Sequence, residues 1–228
     1  MFDNFTLEIM AIIFMTMDHM YTILPKEFNI PIWFGYFGKL AAPIFFYLAV
    51  EGFYYTSSRK KYISRVLSMG LVMVFVDIVF KIHNNIFLSI GFGLLMLSGI
   101  ELLKNSRQDN INKLKGIVLT VLFFILGLTT EASLYGVGMF LIFYLFRNNK
   151  LVTYFVYSLF SLFPLINFIG PDFLEAAMLW DYQWMMIFAI IPISMYNGKL
   201  GLNNRFTKWL FYWFYPLHLI VLTVISYI

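Results

Sequence analysis

The chain has 228 residues, of which 61% are hydrophobic and only 12% charged, with 27 Phe and 15 Tyr, and its mean hydropathy is +0.79. No soluble domain of this size can hide so much apolar surface, so lipid is part of its solvent. The lack of cysteine excludes disulfides, thiolate metal sites and cysteine nucleophiles, and the net charge of +4 carries its information in its placement rather than its sum, implying no nucleic-acid partner.

A helix needs about 20 apolar residues to cross the hydrocarbon core. The first candidate, Phe5 to Leu24, follows an opening without the positive region of a cleavable signal, so it is expected to stay as a span. Next come Trp33 to Tyr55, Tyr62 to Phe80, Ile86 to Leu102, Leu114 to Thr129 and Leu134 to Phe146. Leu151 to Ile169, Tyr182 to Tyr196 and Trp209 to Ile228 complete the series, with Phe173 to Leu179 as a half-helix or interfacial turn. The expected fold class is all-α, a polytopic membrane helical bundle of about nine transmembrane helices, eight to ten being possible. Residues 1–228 read as a single integral membrane domain.

The basic residues test this arrangement. Arg59, Lys60, Lys61 and Arg65 fall in or beside the second connection, Lys104, Arg107, Lys113 and Lys115 in the fourth, Arg147 and Lys150 in the sixth, and Lys199, Arg205 and Lys208 in the eighth. Only Lys26, Lys39 and Lys81 lie elsewhere. Because cytoplasmic loops collect Lys and Arg, the even connections and the N-terminus are expected inside and the C-terminus outside.

Ionisable residues at bilayer depth are costly and invite a functional reading. Asp18 and His19 lie late in the first span, Lys39 and Glu51 in the second, Asp77 in the third and His218 in the last. His19 is suited to remove a proton near neutral pH, with Asp18 as the carboxylate that orients it. The alternative is that Asp18 pairs with Lys39 across a helix interface while His19 is merely satisfied nearby. Glu51 stands near the cytoplasmic boundary as a reactive or a salt-bridged carboxylate. The basic cluster serves topology, or phosphate binding, for which guanidinium groups are well shaped. Asn84 and Asn85 hold an acceptor or neighbouring backbone, and Tyr212 and Tyr215 place hydroxyls near His218. No P-loop, HExxH or GxSxG is present, and three isolated histidines make no metal site.

The fragments "MDHM", "GKLAAPIFFYLAVEGFYYTSSRKKYISR", "NNIFLSIGFGLL", "LYGVGMFLIFYLFRNNK" and "WFYPLHL", in this order, resemble the TraX family over nearly the whole chain. The resemblance implies a bacterial-type cytoplasmic membrane protein associated with conjugation, similar to a larger superfamily of membrane acyltransferases. It implies acetyl transfer from acetyl-CoA to an amine or hydroxyl on a peptide, protein N-terminus, glycan or small molecule. His19, Asp18, Glu51 and His218 would then be catalytic. Arg59, Lys60 and Arg65 would bind the CoA phosphates, and Asn84, Asn85 and Tyr215 the acceptor or developing oxyanion. The rival readings are a small proton-coupled transporter, whose buried ionisable groups form an ion path, and a non-catalytic membrane assembly or immunity factor.

Overall fold

The computed structural model describes residues 1–106 and 109–227, with only the backbone at Arg205; Arg107, counted above among the basic residues, lies outside the described residues. The elements are helical: α1 (Asn4–Ile23), α2 (Trp33–Gly38), α3 (Ala41–Tyr55), α4 (Arg59–Phe80), α5 (Ile86–Asn105), α6 (Asn110–Leu128), α7 (Ser133–Leu145), α8 (Lys150–Leu162), α9 (Phe173–Glu175), α10 (Ile190–Ser194) and α11 (Arg205–Ser226). Polar side chains start the long ones. Asp3, Ser58, Asn85, Asp109, Asn149 and Asn204 each accept a hydrogen bond from a backbone N–H in the first turn that follows.

Among the described residues, six helices are long and apolar enough to cross a membrane: Trp33–Tyr55, Arg59–Phe80, Ile86–Asn105, Asn110–Leu128, Lys150–Phe168 and Phe206–Ser226. A seventh crossing is reached if Phe173–Trp180 and Gln183–Ser194, bent by 72° at their break, count as one. The expected nine are not reached on these grounds. Leu134 to Phe146 becomes α7, whose 13 residues rise only about 20 Å. Tyr182 to Tyr196 becomes a 3-10 turn followed by the five residues of α10. α1 has the length, but Glu8, Asp18 and His19 lower its hydropathy.

The chain divides into two compact units, residues 1–45 with 149–228, and residues 46–148; the division falls inside α3. In the first unit α1 packs against α2 and α11. Its N-terminus is tied down by Phe2 N to Met195 O, Asn197 N to Phe2 O and Asn4 N to Lys199 O, each 2.8 Å. In the second unit α5 is central, packing against α4, α6 and α7. Gly99 and Gly116 let α5 and α6 approach closely: a Cβ at Gly99 would lie 2.7 Å from Thr120 N. The outer face of α6, with Leu114, Val118, Val121 and Ile125 exposed, is left for lipid.

Gly201 supports the N-terminal tie. Its φ is +64°, and a Cβ there would sit 2.3 Å from the Asp3 carboxylate that caps α1. Gly198, at φ +76°, has open space around it. Gly201→Ala is therefore expected to cost about 1–2 kcal/mol of left-handed strain and roughly 1 kcal/mol more for the displaced cap, whereas Gly198→Ala costs only the first. Thermal melts of the two purified variants check the difference. The Thr6 N–H and hydroxyl, both donating to Asp3 Oδ1, hold that carboxyl below its ordinary range. Its contribution to stability is accordingly present at neutral pH and lost only as the pH falls through that lowered value.

Candidate functional site

Along α1, Leu7, Ala11, Met15 and His19 recur every four residues and are all buried, so the register that faces the apolar stripe inward carries the imidazole with it. On α11 the corresponding face is Tyr215, His218, Leu219 and Leu222, also buried. The two histidines meet where these faces pack. His19 Nδ1 lies 2.7 Å from His218 Nε2, and the rings stack 5.0 Å apart with 13° between their planes. Tyr215 sits edge-on to both rings, and Phe214 stacks on His218.

The hydrogen bonds assign the protons of the neutral pair. His218 Nδ1 lies 2.8 Å from the Phe214 carbonyl, which only accepts, so Nδ1 carries the proton and donates. His218 Nε2 is then an acceptor, and His19 Nδ1 must be the donor to it. The lone pair of His19 is left on Nε2. A proton taken up there can be answered by transfer of the Nδ1 proton to His218, so the positive charge is shared along the two rings and reaches the Phe214 carbonyl. This is the arrangement of a general base held in one tautomer by an orienting partner.

Asp18, one residue earlier, points elsewhere. Its Oδ1 accepts from Lys39 Nζ at 3.2 Å, and its side chain lies against Gly38, where an added Cβ would be 2.3 Å from Asp18 Cβ. Lys39 Nζ also stands 5.4 Å from the centre of the Tyr182 ring. The carboxylate thus joins α1 to the α2 end, the pairing weighed against catalysis above, and the orienting contact to His19 comes from His218.

The remaining predicted residues belong to the second unit. Glu51 is buried and grips Arg147, with Oε1 2.7 Å from Nε and Oε2 3.5 Å from Nη2. The Arg147 guanidinium lies over the Tyr54 ring at 4.3 Å. Arg59 donates to Glu101 Oε2 at 3.3 Å and to the Phe53 carbonyl at 3.2 Å, and it covers the Phe53 ring at 4.2 Å. Glu101 also accepts from Tyr144 Oη, to which Lys104 donates at 2.9 Å. Arg59 and Lys60 stand at one end of a groove of about 640 Å³ walled by Ile63, Leu67 and Leu71 of α4 and Leu95 of α5. Arg65 is exposed on α4 and does not line it. Asn85 caps α5 and donates to the Gly70 carbonyl at 3.0 Å, while Asn84 donates to Glu131 at 3.4 Å. Their amides hold backbone and a neighbouring carboxylate. Glu101 and Tyr144 were not anticipated. The only signal for Glu101 is a lone carboxylate in the last turns of an apolar helix.

Against known families, the chain matches the model described as TraX protein over residues 4–226. Among curated proteins it is similar to the probable fimbrial assembly protein FimC, serogroup H1, of Dichelobacter nodosus, at 24% identity over an alignment 245 positions long that covers 97% of this chain and 94% of the relative. No solved structure matches.

Proposed function

The chain belongs to the TraX family, and from that premise we propose that it is a membrane-embedded acetyltransferase moving an acetyl group from acetyl-CoA to an amine or hydroxyl acceptor. The observation that carries this reading is the buried His19–His218 pair, in which the tautomer is fixed and the basic nitrogen is His19 Nε2. His19 removes the acceptor N–H or O–H proton as that nitrogen or oxygen attacks the thioester carbonyl. The new C–N or C–O bond forms, the C–S bond breaks, and the departing thiolate takes the proton back from His19. His218 acts through His19 as a positioning residue. Arg59, Lys60 and Arg65 supply positive charge for the CoA phosphates.

On this reading α1 and the short α7 also cross, beside the six long helices and the bent pair, which would give the nine crossings expected from the sequence with the N-terminus inside and the C-terminus outside. The ties between residues 2–5 and 195–200 support the inside placement of the N-terminus, because they keep it on the side of Lys199. The FimC relative's name, a fimbrial assembly protein, together with TraX family membership supports an acceptor in pilus or conjugation machinery, and a protein N-terminus is the acceptor that fits amine chemistry. Purified protein in nanodiscs, given acetyl-labelled acetyl-CoA and a peptide with a free N-terminus, is expected to label the peptide amine. A folded protein that neither binds acyl-CoA nor labels any amine or hydroxyl acceptor would refute the reading and favour an assembly factor.

A further inference from the structure

The groove between α4 and α5 has features that a lipid-facing crevice does not need. Besides its apolar walls it is lined by Ser64, Ser68, Ser98 and Glu101. Two of the serines spend their hydroxyl protons on their own helices: Ser68 Oγ donates to the Arg65 carbonyl at 2.8 Å and Ser98 Oγ to the Leu94 carbonyl at 2.9 Å. Their oxygens keep lone pairs that only a donor can satisfy. Those lone pairs can accept from the amide N–H groups of an arm lying in the groove. Ser68 lies nine residues beyond Arg59 on α4, roughly 14 Å along the axis, so the lining runs from positive charge to hydroxyls over the length of an extended arm. The groove, about 640 Å³, is open along its length, as suits an extended arm rather than an enclosed ligand.

Arg59 is built to exchange one partner. Its bond to the Phe53 carbonyl and its stacking on the Phe53 ring fix the guanidinium, while its contact with Glu101 is a single 3.3 Å bond on a half-exposed side chain. Tyr144 holds Glu101 independently, so the carboxylate stays in place when Arg59 turns to another anion.

We propose that the α4–α5 groove seats an extended, amide-bearing arm that ends in phosphate, the phosphopantetheine portion of the acyl donor, and that Glu101 competes with that phosphate for Arg59. The proposal rests on the acyl-CoA reading above and adds to it a location and a built-in counter-charge. Glu101 sets the affinity by keeping Arg59 occupied until a phosphate displaces it, so the head group must out-compete a carboxylate rather than fill an idle site.

The test is equilibrium binding of desacetyl CoA to the full chain in nanodiscs of phosphatidylcholine, with the melting temperature of each variant as the folding control. Glu101→Gln is expected to tighten CoA roughly threefold to fivefold, the scale of a half-exposed ion pair, and to leave binding of unphosphorylated pantetheine unchanged. Ser64→Trp and Ser68→Trp, at exposed positions that tolerate bulk, are expected to weaken CoA more than tenfold. His19→Ala is expected to leave CoA binding intact. Unchanged CoA binding in the folded Trp variants would overturn the groove while acetyl transfer by the wild type upheld the transferase reading. A folded wild type that binds no CoA overturns both. Retention of phosphatidylglycerol that CoA does not displace, and that the Trp variants lose, assigns the groove to lipid and overturns the proposal.

Discussion

His19→Ala is expected, on the proposed acetyltransferase reading, to lower acetyl transfer by about 10²- to 10⁴-fold, the usual contribution of a positioned general base, with folding retained. Alanine removes the ring but leaves His218 Nε2 free to take a water, so the lost function is the proton transfer rather than the helix contact. His218→Ala should be milder, about 10- to 100-fold, the range for losing a partner that orients a metal-bound histidine, because His19 keeps its basic nitrogen. It leaves His19 Nδ1–H without its acceptor in a buried setting, and the ring is free to choose the wrong tautomer. His218→Gln separates orientation from proton sharing. A glutamine carbonyl accepts from Nδ1–H and restores the tautomer, so partial rescue over His218→Ala identifies His218 as a positioning residue. Equal loss in both would instead mean that the second imidazole must itself carry the proton. Initial rates of label transfer to a peptide amine, at saturating acetyl-CoA, distinguish these outcomes.

How much of this was written in the sequence depends on how local the information is. His19 was legible in the sequence because an imidazole late in an apolar span is costly, and the structure then places it on the buried stripe of Leu7, Ala11 and Met15. The partner of His19 was not. Asp18 was adjacent and chemically suited, but consecutive residues point about 100° apart on a helix, and the group that meets the ring comes from 199 positions away. Glu51 and Arg147, 96 apart, pose the same problem: sequence shows two charges that need partners without saying which. The span count blurred at the short apolar runs. α7 has only 13 residues, and the run from Tyr182 to Tyr196 breaks into a 3-10 turn and the five residues of α10, so apolar composition alone counts crossings that the helices are too short to make by themselves.

Arg147→Met is expected to be strongly destabilising. Glu51 is buried, with its carboxylate served by the two Arg147 bonds, and removing one partner of a buried ion pair leaves an uncompensated charge at a cost of about 3–5 kcal/mol. Methionine keeps apolar contact with Tyr54 and Tyr55, so the loss reports the charge more than the packing. Adding Glu51→Leu to Arg147→Met is then expected to recover most of the lost melting temperature, because replacing both members of such a pair by apolar groups is often close to neutral. The same double variant decides whether Glu51 reacts. If its carboxylate serves only to hold Arg147 in place, the refolded double variant keeps acetyl transfer within a few-fold of wild type. A double variant that melts like wild type yet transfers no label would return Glu51 to the catalytic set, since folding and chemistry would then have been separated at that one side chain.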